Sequence, residues 1–302
     1  MNLRATGAKL AHRVAVASRL AAWVRRGRDE ALVLAYHNVV PDGVAAGERA
    51  LHVPLTQFRA QLERVMRVFQ VVPLAELLDR HRSGRSLEGL AAVTFDDGYR
   101  GVLRHALPIL TALGCPATVF VVSKALGRDR PFWWDRFAAA GGGEIPGRER
   151  WLTEFEGDEA KILAGEPTTA TGAWGVDYLP AGVEELAAVD PTLISLGVHT
   201  ETHPNLVRVG GQRCERELRE CWHTLRGHFS NVIPVVAYPY GAVDESVAAV
   251  AAGNGLAGVA LGDSGLTHRD SAMLVPRVFV GPETTPDALE LTVGGLRLKR
   301  KR

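Results

Sequence analysis

Two short segments of this 302-residue chain concentrate the residue types that hold metal ions and move protons. The first is Thr94-Phe95-Asp96-Asp97-Gly98-Tyr99, at the end of a hydrophobic run. Adjacent carboxylates repel each other, and burial raises both pKa values. A bound cation would remove that cost by taking one as a ligand, leaving the other as a general base. Asp-Asp-Gly is also ordinary turn chemistry. The second segment is His199-Thr200-Glu201-Thr202-His203-Pro204, after the apolar run 193–198. Two histidines four residues apart lie on one face of a helical turn, so both imidazoles can reach one ion. Glu does not directly follow the first His, so this is not the zincin pattern. A third segment, Ala237-Tyr238-Pro239-Tyr240-Gly241, could be a pocket wall with exposed backbone N–H groups, or a plain strand-ending turn. Together, one carboxylate and two imidazoles make a three-ligand site with positions open to water, as expected of a hydrolytic metal centre.

The elements that must position these residues alternate in type. Apolar, β-branched runs read as strands at 31–36, 71–72, 91–95, 117–122, 193–198, 232–238, 256–261 and 274–280. Helical periodicity covers 56–69, 74–82, 102–113, 212–229 and 244–252, and a closing helix is expected from Thr285. Repeated βα units imply a parallel sheet with helical crossovers. About eight strands favour an α/β fold of the distorted or incomplete (β/α) barrel type, with a doubly wound open sheet as the alternative. Residues 131–180 break the alternation and read as an insertion with some helix. In a barrel, functional groups sit where strands end, as all three segments do.

Net charge is +1, but it is unevenly spread. Residues 1–28 carry seven basic side chains and no acid, and 297–302 carry five, leaving 23 basic against 34 acidic residues in the body 29–296. Leu3, Leu10, Val14, Ala17, Ala21 and Val24 fall at helical spacing among arginines, a basic amphipathic helix able to lie on a membrane or dock on the barrel. The expected organisation is therefore that helix (1–28), a barrel (29–296) with its insertion, and a basic tail. No signal-like apolar core is visible, because Lys9, His12, Arg13 and Arg19 interrupt it, and no stretch is long enough to span a bilayer. The expectation is a cytoplasmic protein, with its membrane face as an option. Cys115, Cys214 and Cys221 read as reduced, buried thiols. The basic residues sit at the termini without an accompanying motif, so nucleic acid is not expected as a partner.

TFDDGY, HTETHPNL and AYPYG, in this order, resemble the three leading motifs of the polysaccharide deacetylase family, the NodB-homology domain or carbohydrate esterase family 4. Tyr36-His37 and Phe132-Trp133-Trp134-Asp135 are similar to segments of bacterial members. The resemblance implies a distorted barrel, a divalent ion, usually zinc, and hydrolysis of N-acetyl groups on amino sugars. Matched residue by residue, Asp96 falls on the general base, Asp97, His199 and His203 on the metal ligands, and Tyr240 on the residue whose backbone N–H stabilises the oxyanion. Tyr238, Pro239 and Gly241 would shape the substrate pocket around it.

This sequence departs from the family pattern in three places. The Arg expected two residues before Pro239 is Ala237. The fourth motif is not recognisable around 256–270, and the late run Leu274-Val275-Pro276-Arg277-Val278 lacks the fifth motif's acid His. Arg277, ending the last strand, is the candidate to replace the missing Arg beside Asp96. His37 is the candidate general acid or sugar contact, with His268 a weaker one. His12, His52, His81, His105, His223 and His228 read as surface or packing residues. Trp133 and Trp134 could stack on sugar rings, close a lid, or anchor the insertion. The expected function is metal-dependent N-deacetylation of a polysaccharide or lipid-linked glycan. The alternatives are an O-acetyl esterase or other amide hydrolase at the same metal, or a non-catalytic sugar-binding homologue.

Overall fold

The computed structural model describes residues 28–289 except 45, 141–146, 166–173 and 287. The basic segments 1–27 and 297–302, His12, and most of the helix expected after Thr285 lie outside the described residues.

The strands are β1 (Glu30–Tyr36), β2 (Asn38–Val40), β3 (His52–Pro54), β4 (Gln70–Val71), β5 (Leu90–Phe95), β6 (Ala117–Val121), β7 (Ile194–Val198), β8 (Val232–Ala237), β9 (Ala257–Gly262), β10 (Leu266–Thr267) and β11 (Val275–Phe279). Seven of them form a closed parallel ring in the order β1-β11-β9-β8-β7-β6-β5. Five consecutive pairs between β1 and β5, from Leu32–Ala91 to Tyr36–Phe95, complete it. The expected strand at 71–72 is the short β4, which lies outside the ring against β5. The helices are α1 (Leu55–Met66), α2 (Leu74–Arg82), α3 (Leu107–Leu113, preceded by a π-turn over Val102–Ala106), α4 (Trp133–Ala140), α5 (Arg148–Thr153), α6 (Glu159–Gly165), α7 (Val183–Ala187), α8 (Gly211–His228) and α9 (Glu245–Gly253).

Strand periodicity sorts the side chains into two cores. Leu32, Leu34, Tyr36, Val93, Phe95, Val119, Val121, Leu196 and Val198 face outward and pack against the helices. Val33, Ala92, Phe120, Val235, Ala237, Val259 and Val275 face inward. Because ring strands are buried on both sides, they read in the sequence as continuous apolar runs. Polar residues at inward positions are few and paired: Thr118 hydrogen-bonds Ser195 across β6 and β7 at 2.8 Å, and Arg277 lies fully buried inside the ring. Room for these groups comes from small neighbours. A Cβ on Gly197 would meet the Phe120 ring at 2.5 Å.

Between β6 and β7 the chain leaves the βα alternation. Helices α4, α5 and α6 occur there, then a 3-10 turn over Val176–Tyr178 and the short α7. Trp133, Trp134, Trp151 and Phe132 are buried in this connection. Among the described residues, no helix is long and apolar enough to cross a membrane.

Candidate metal centre

The C-terminal ends of the strands deliver the functional side chains to one mouth of the ring. Asp96 and Asp97 follow β5, His199 follows β7 and His37 follows β1. Arg277 is the third residue of β11 and points inward. Backbone strain shapes both ligand loops. Asp97 has φ 69° and the next residue, Gly98, has φ 72°; Thr200 and His203 have φ 66° and 64°. A left-handed conformation at a non-glycine residue is unfavourable and persists only where surrounding contacts impose it.

Those contacts are specific. The Thr200 hydroxyl accepts from the His203 N–H at 2.9 Å. Glu217, buried on α8, accepts from the Thr202 N–H at 2.8 Å and the Thr202 hydroxyl at 2.6 Å. His199 Nδ1 lies 2.7 Å from the Ala237 carbonyl oxygen, which can only accept, so Nδ1 carries the proton. His203 Nδ1 lies 3.1 Å from the Tyr240 hydroxyl, which also lies 3.1 Å from the His203 carbonyl. These bonds aim both Nε2 atoms inward. Orienting partners of this kind commonly fix the tautomer of a metal-ligating imidazole.

Asp97 Oδ1 sits 3.3 Å from His199 Nε2 and 3.4 Å from His203 Nε2, and the two Nε2 atoms are 3.1 Å apart. All three side chains are buried, and their ligand atoms can meet one ion. Asp97 Oδ1 has no well-formed hydrogen bond despite its burial. A buried carboxylate oxygen facing two ring nitrogens is the donor set a divalent cation takes, so these residues fit a zinc-type ion. Burial and the neighbouring His199 push the His203 pKa down to about 3, which keeps its ring neutral as a ligand must be.

Asp96 turns the other way. Arg277 grips it through two parallel bonds, Nη1 to Oδ1 at 2.7 Å and Nη2 to Oδ2 at 2.8 Å. Nη1 also donates to the Thr94 hydroxyl at 3.0 Å, and the guanidinium lies 5.3 Å from the Phe120 ring centre. Burial pushes the Asp96 carboxyl up, but Arg277, His199 and His37 outweigh it and hold the group well below the usual carboxylate range. His37 Nε2 lies 3.9 Å from Asp96 Oδ2. Burial pushes the His37 ring down, more than the two aspartates raise it, so the imidazole is neutral near pH 7.

A family-wide sequence pattern described as polysaccharide deacetylase matches residues 84–259, more than half of the chain. The chain belongs to the polysaccharide deacetylase family. A 34% identity over 88 residues links it to the poly-beta-1,6-N-acetyl-D-glucosamine N-deacetylase of Escherichia coli, covering 28% of this chain and 13% of that relative. Among solved structures, the Streptococcus pyogenes deacetylase PplD matches 87% of this chain and 97% of its own with TM-score 0.62 at 18% identity. IcaB from Ammonifex degensii matches 89% and 97% with TM-score 0.62 at 21% identity. At these identities the likeness carries the deacetylase barrel fold and no more.

Several expected site residues lie elsewhere. Tyr238 cannot line the pocket: Ala237 faces into the ring, so its neighbour faces out, buried in the outer core with Val247 and Ala251 of α9. Pro239 is buried as well, while Gly241 packs against Leu261, which a Cβ would meet at 3.0 Å. Trp133 does not reach for sugar, since it is buried against Trp134, Phe137 and Trp151. Trp134, by contrast, does border the site: it is buried with its ring 4.7 Å from that of His203. His268 stacks on His81 just beyond β10, which pairs with the start of β1 and so lies at the opposite end of the barrel. Of the two roles expected of His52, surface or packing, the structure has the second: it is buried on β3 against Asp135. The sequence reading missed the parts played by Glu217, Asn38 and Asp135. Only Asp135 had a signal, its place in the Phe132-Trp133-Trp134-Asp135 segment.

Proposed function

We propose that this chain is a metal-dependent hydrolase that removes N-acetyl groups from amino sugars of a polysaccharide or lipid-linked glycan. Asp97, His199 and His203 would hold a divalent ion, most simply zinc. When bound, that ion supplies Lewis acidity to a water and to the acetyl carbonyl. Asp96 accepts the proton of the attacking water, being ionised throughout the working range and aimed by Arg277. His37 receives that proton across the 3.9 Å gap and delivers it to the leaving amine. In an alternative use of the same position, His37 contacts the sugar. The backbone N–H of Tyr240 would donate to the developing oxyanion, a contribution typically of ~3 kcal/mol.

The observation that carries this reading is the facing of Asp97 Oδ1 and two imidazole nitrogens beside a carboxylate that stays outside the ligand set. The relative from Escherichia coli, named for a poly-N-acetylglucosamine substrate, supports the choice of an N-acetyl amino sugar. Metal analysis and acetate release test it. The wild type should carry about one ion per chain and release acetate from N-acetylglucosamine oligomers. Asp96→Asn should keep the ion and lose on the order of 10²–10⁴-fold in turnover. Preference for acetylated xylan would instead make it an O-acetyl esterase. Bound metal with no acetate release from either would point to a sugar-binding homologue. The seven basic side chains in 1–28 would add a peripheral contact with an anionic membrane, readable as salt-sensitive binding to anionic vesicles.

A further inference from the structure

Outside the ligand set lies a second cluster of buried polar groups. Asp135 on α4 is fully buried, and its partners among the described residues are neither lysine nor arginine. Three donors satisfy it: the Glu48 N–H to Oδ1 at 2.9 Å, His52 Nε2 to Oδ1 at 2.7 Å, and the Tyr99 hydroxyl to Oδ2 at 2.7 Å. Their polarity is fixed from the far end. Asn38 Oδ1 accepts from the Val39 N–H, and its Nδ2 donates to the Asp177 carbonyl. That nitrogen can therefore only donate to His52 Nδ1, 3.1 Å away. His52 thus carries its proton on Nε2 and donates to Asp135. At the near end, Trp134 Nε1 donates to the Tyr99 oxygen at 2.8 Å. A Cβ at position 47 would overlap Asp135 Oδ1 and His52, so glycine there is what allows the approach.

Both near ends of this network touch the metal site. Tyr99 follows Asp97 by two residues, directly after the pair of left-handed residues Asp97 and Gly98. Trp134 lies against the ring of His203. One phenol oxygen therefore ties the loop of one ligand to the ring packed on another, and Asp135 sets which way that phenol points.

We propose that Asp135 is a positioning residue for the metal centre, acting through the Tyr99 hydroxyl to hold Asp97 in its left-handed conformation and Trp134 against His203. This rests on the reading of Asp97, His199 and His203 as metal ligands. The chemistry of Asp135→Asn is informative because the substitution is nearly isosteric. The amide oxygen keeps the two donors at the Oδ1 position, so the amide nitrogen faces Tyr99. The phenol oxygen then meets two donors and its own proton has no acceptor. Tyr99→Phe removes the same contact from the other side.

The test is Co²⁺ titration of the metal-free full chain, following the visible d–d absorption and the dissociation constant. Asp135→Asn and Tyr99→Phe should each weaken Co²⁺ binding by about 10–100-fold, the usual effect of losing an orienting partner, and shift the band. The double variant should bind about as well as Tyr99→Phe alone, because Asp135 acts through that hydroxyl and has nothing left to act on once it is gone. An unchanged band and affinity with only a lower melting temperature would overturn the proposal, as would effects that multiply in the double variant. If Asp135→Asn does not fold, Tyr99→Phe still reads both quantities. A wild type that binds no Co²⁺ would sink the ligand assignment itself, and this inference with it; intact wild-type binding with indifferent variants would sink the inference alone.

Discussion

Arg277 pairs with Asp96 from β11, whereas the family pattern would bring an arginine there from another strand. An arginine two residues before Pro239 would orient the base, and that position is Ala237. Both positions face into the ring, so either strand can offer a guanidinium to Asp96. The structure uses β11. Removing one partner of a buried, hydrogen-bonded pair typically costs about 3–5 kcal/mol, because the other charge is left uncompensated. Arg277→Ala should therefore lower both melting temperature and turnover. Adding Ala237→Arg to it should restore part of each, measured by thermal melts and acetate release. A double variant no better than Arg277→Ala would show that the two positions are not equivalent. An arginine on the last strand was a candidate for the mouth, but strand parity could equally have sent it outward, and the pairing itself is seen only in the structure. His37 was a candidate because it ends the first strand; its place 3.9 Å from Asp96 is a finding of the structure. What His37 does there is a kinetic question. His37→Gln should lower kcat by on the order of 10²–10⁴ with KM little changed if the ring moves a proton. A raised KM with kcat intact would make it a sugar contact.

Strand and helix positions followed from periodicity because each ring strand is buried on both faces and each helix on one. What the sequence did not disclose is where single side chains point at strand ends and within the β6–β7 connection. Tyr238 looked like pocket chemistry because it adjoins Pro239. One step of strand parity sends it outward instead, against α8 and α9. The contact of Asp135 was not readable from its Phe132-Trp133-Trp134-Asp135 segment, and Glu217 was invisible, for a different reason. Their partners, Tyr99 and Thr202, lie 36 and 15 residues away, and no local pattern encodes such a contact. Gly197 illustrates a constraint that acts between strands. Phe120 on β6 fills the ring space over Gly197 of β7 and sits under the Arg277 guanidinium. Gly197→Ala should overpack this layer and cost about 1–3 kcal/mol, seen as a lower urea midpoint. Combining it with Phe120→Leu should recover part of the loss. A freely tolerated Gly197→Ala would mean the inward layer is looser than its distances indicate.

At the scale of the whole molecule, the ligand residues come from parts of the chain about a hundred positions apart, Asp97 after β5 and His199 and His203 after β7. A cation bound by all three links the two loops in the folded state and has no equivalent site in the unfolded chain. On the proposed reading, metal binding and folding would therefore be coupled. At a free ion concentration of 100 times the dissociation constant the native state gains about 2.7 kcal/mol. For a chain of this size that corresponds to a melting shift of several degrees. Chelation should remove the shift, and Zn²⁺ or Co²⁺ should restore it. Asp97→Asn and His199→Ala should abolish the response to metal. Asp96→Asn should keep it, because Asp96 is bound to Arg277 rather than turned toward the ligand cluster. That contrast separates the two neighbouring carboxylates without any substrate. If Asp96→Asn lost the metal-dependent shift and Asp97→Asn retained it, the roles of ligand and base would have to be exchanged.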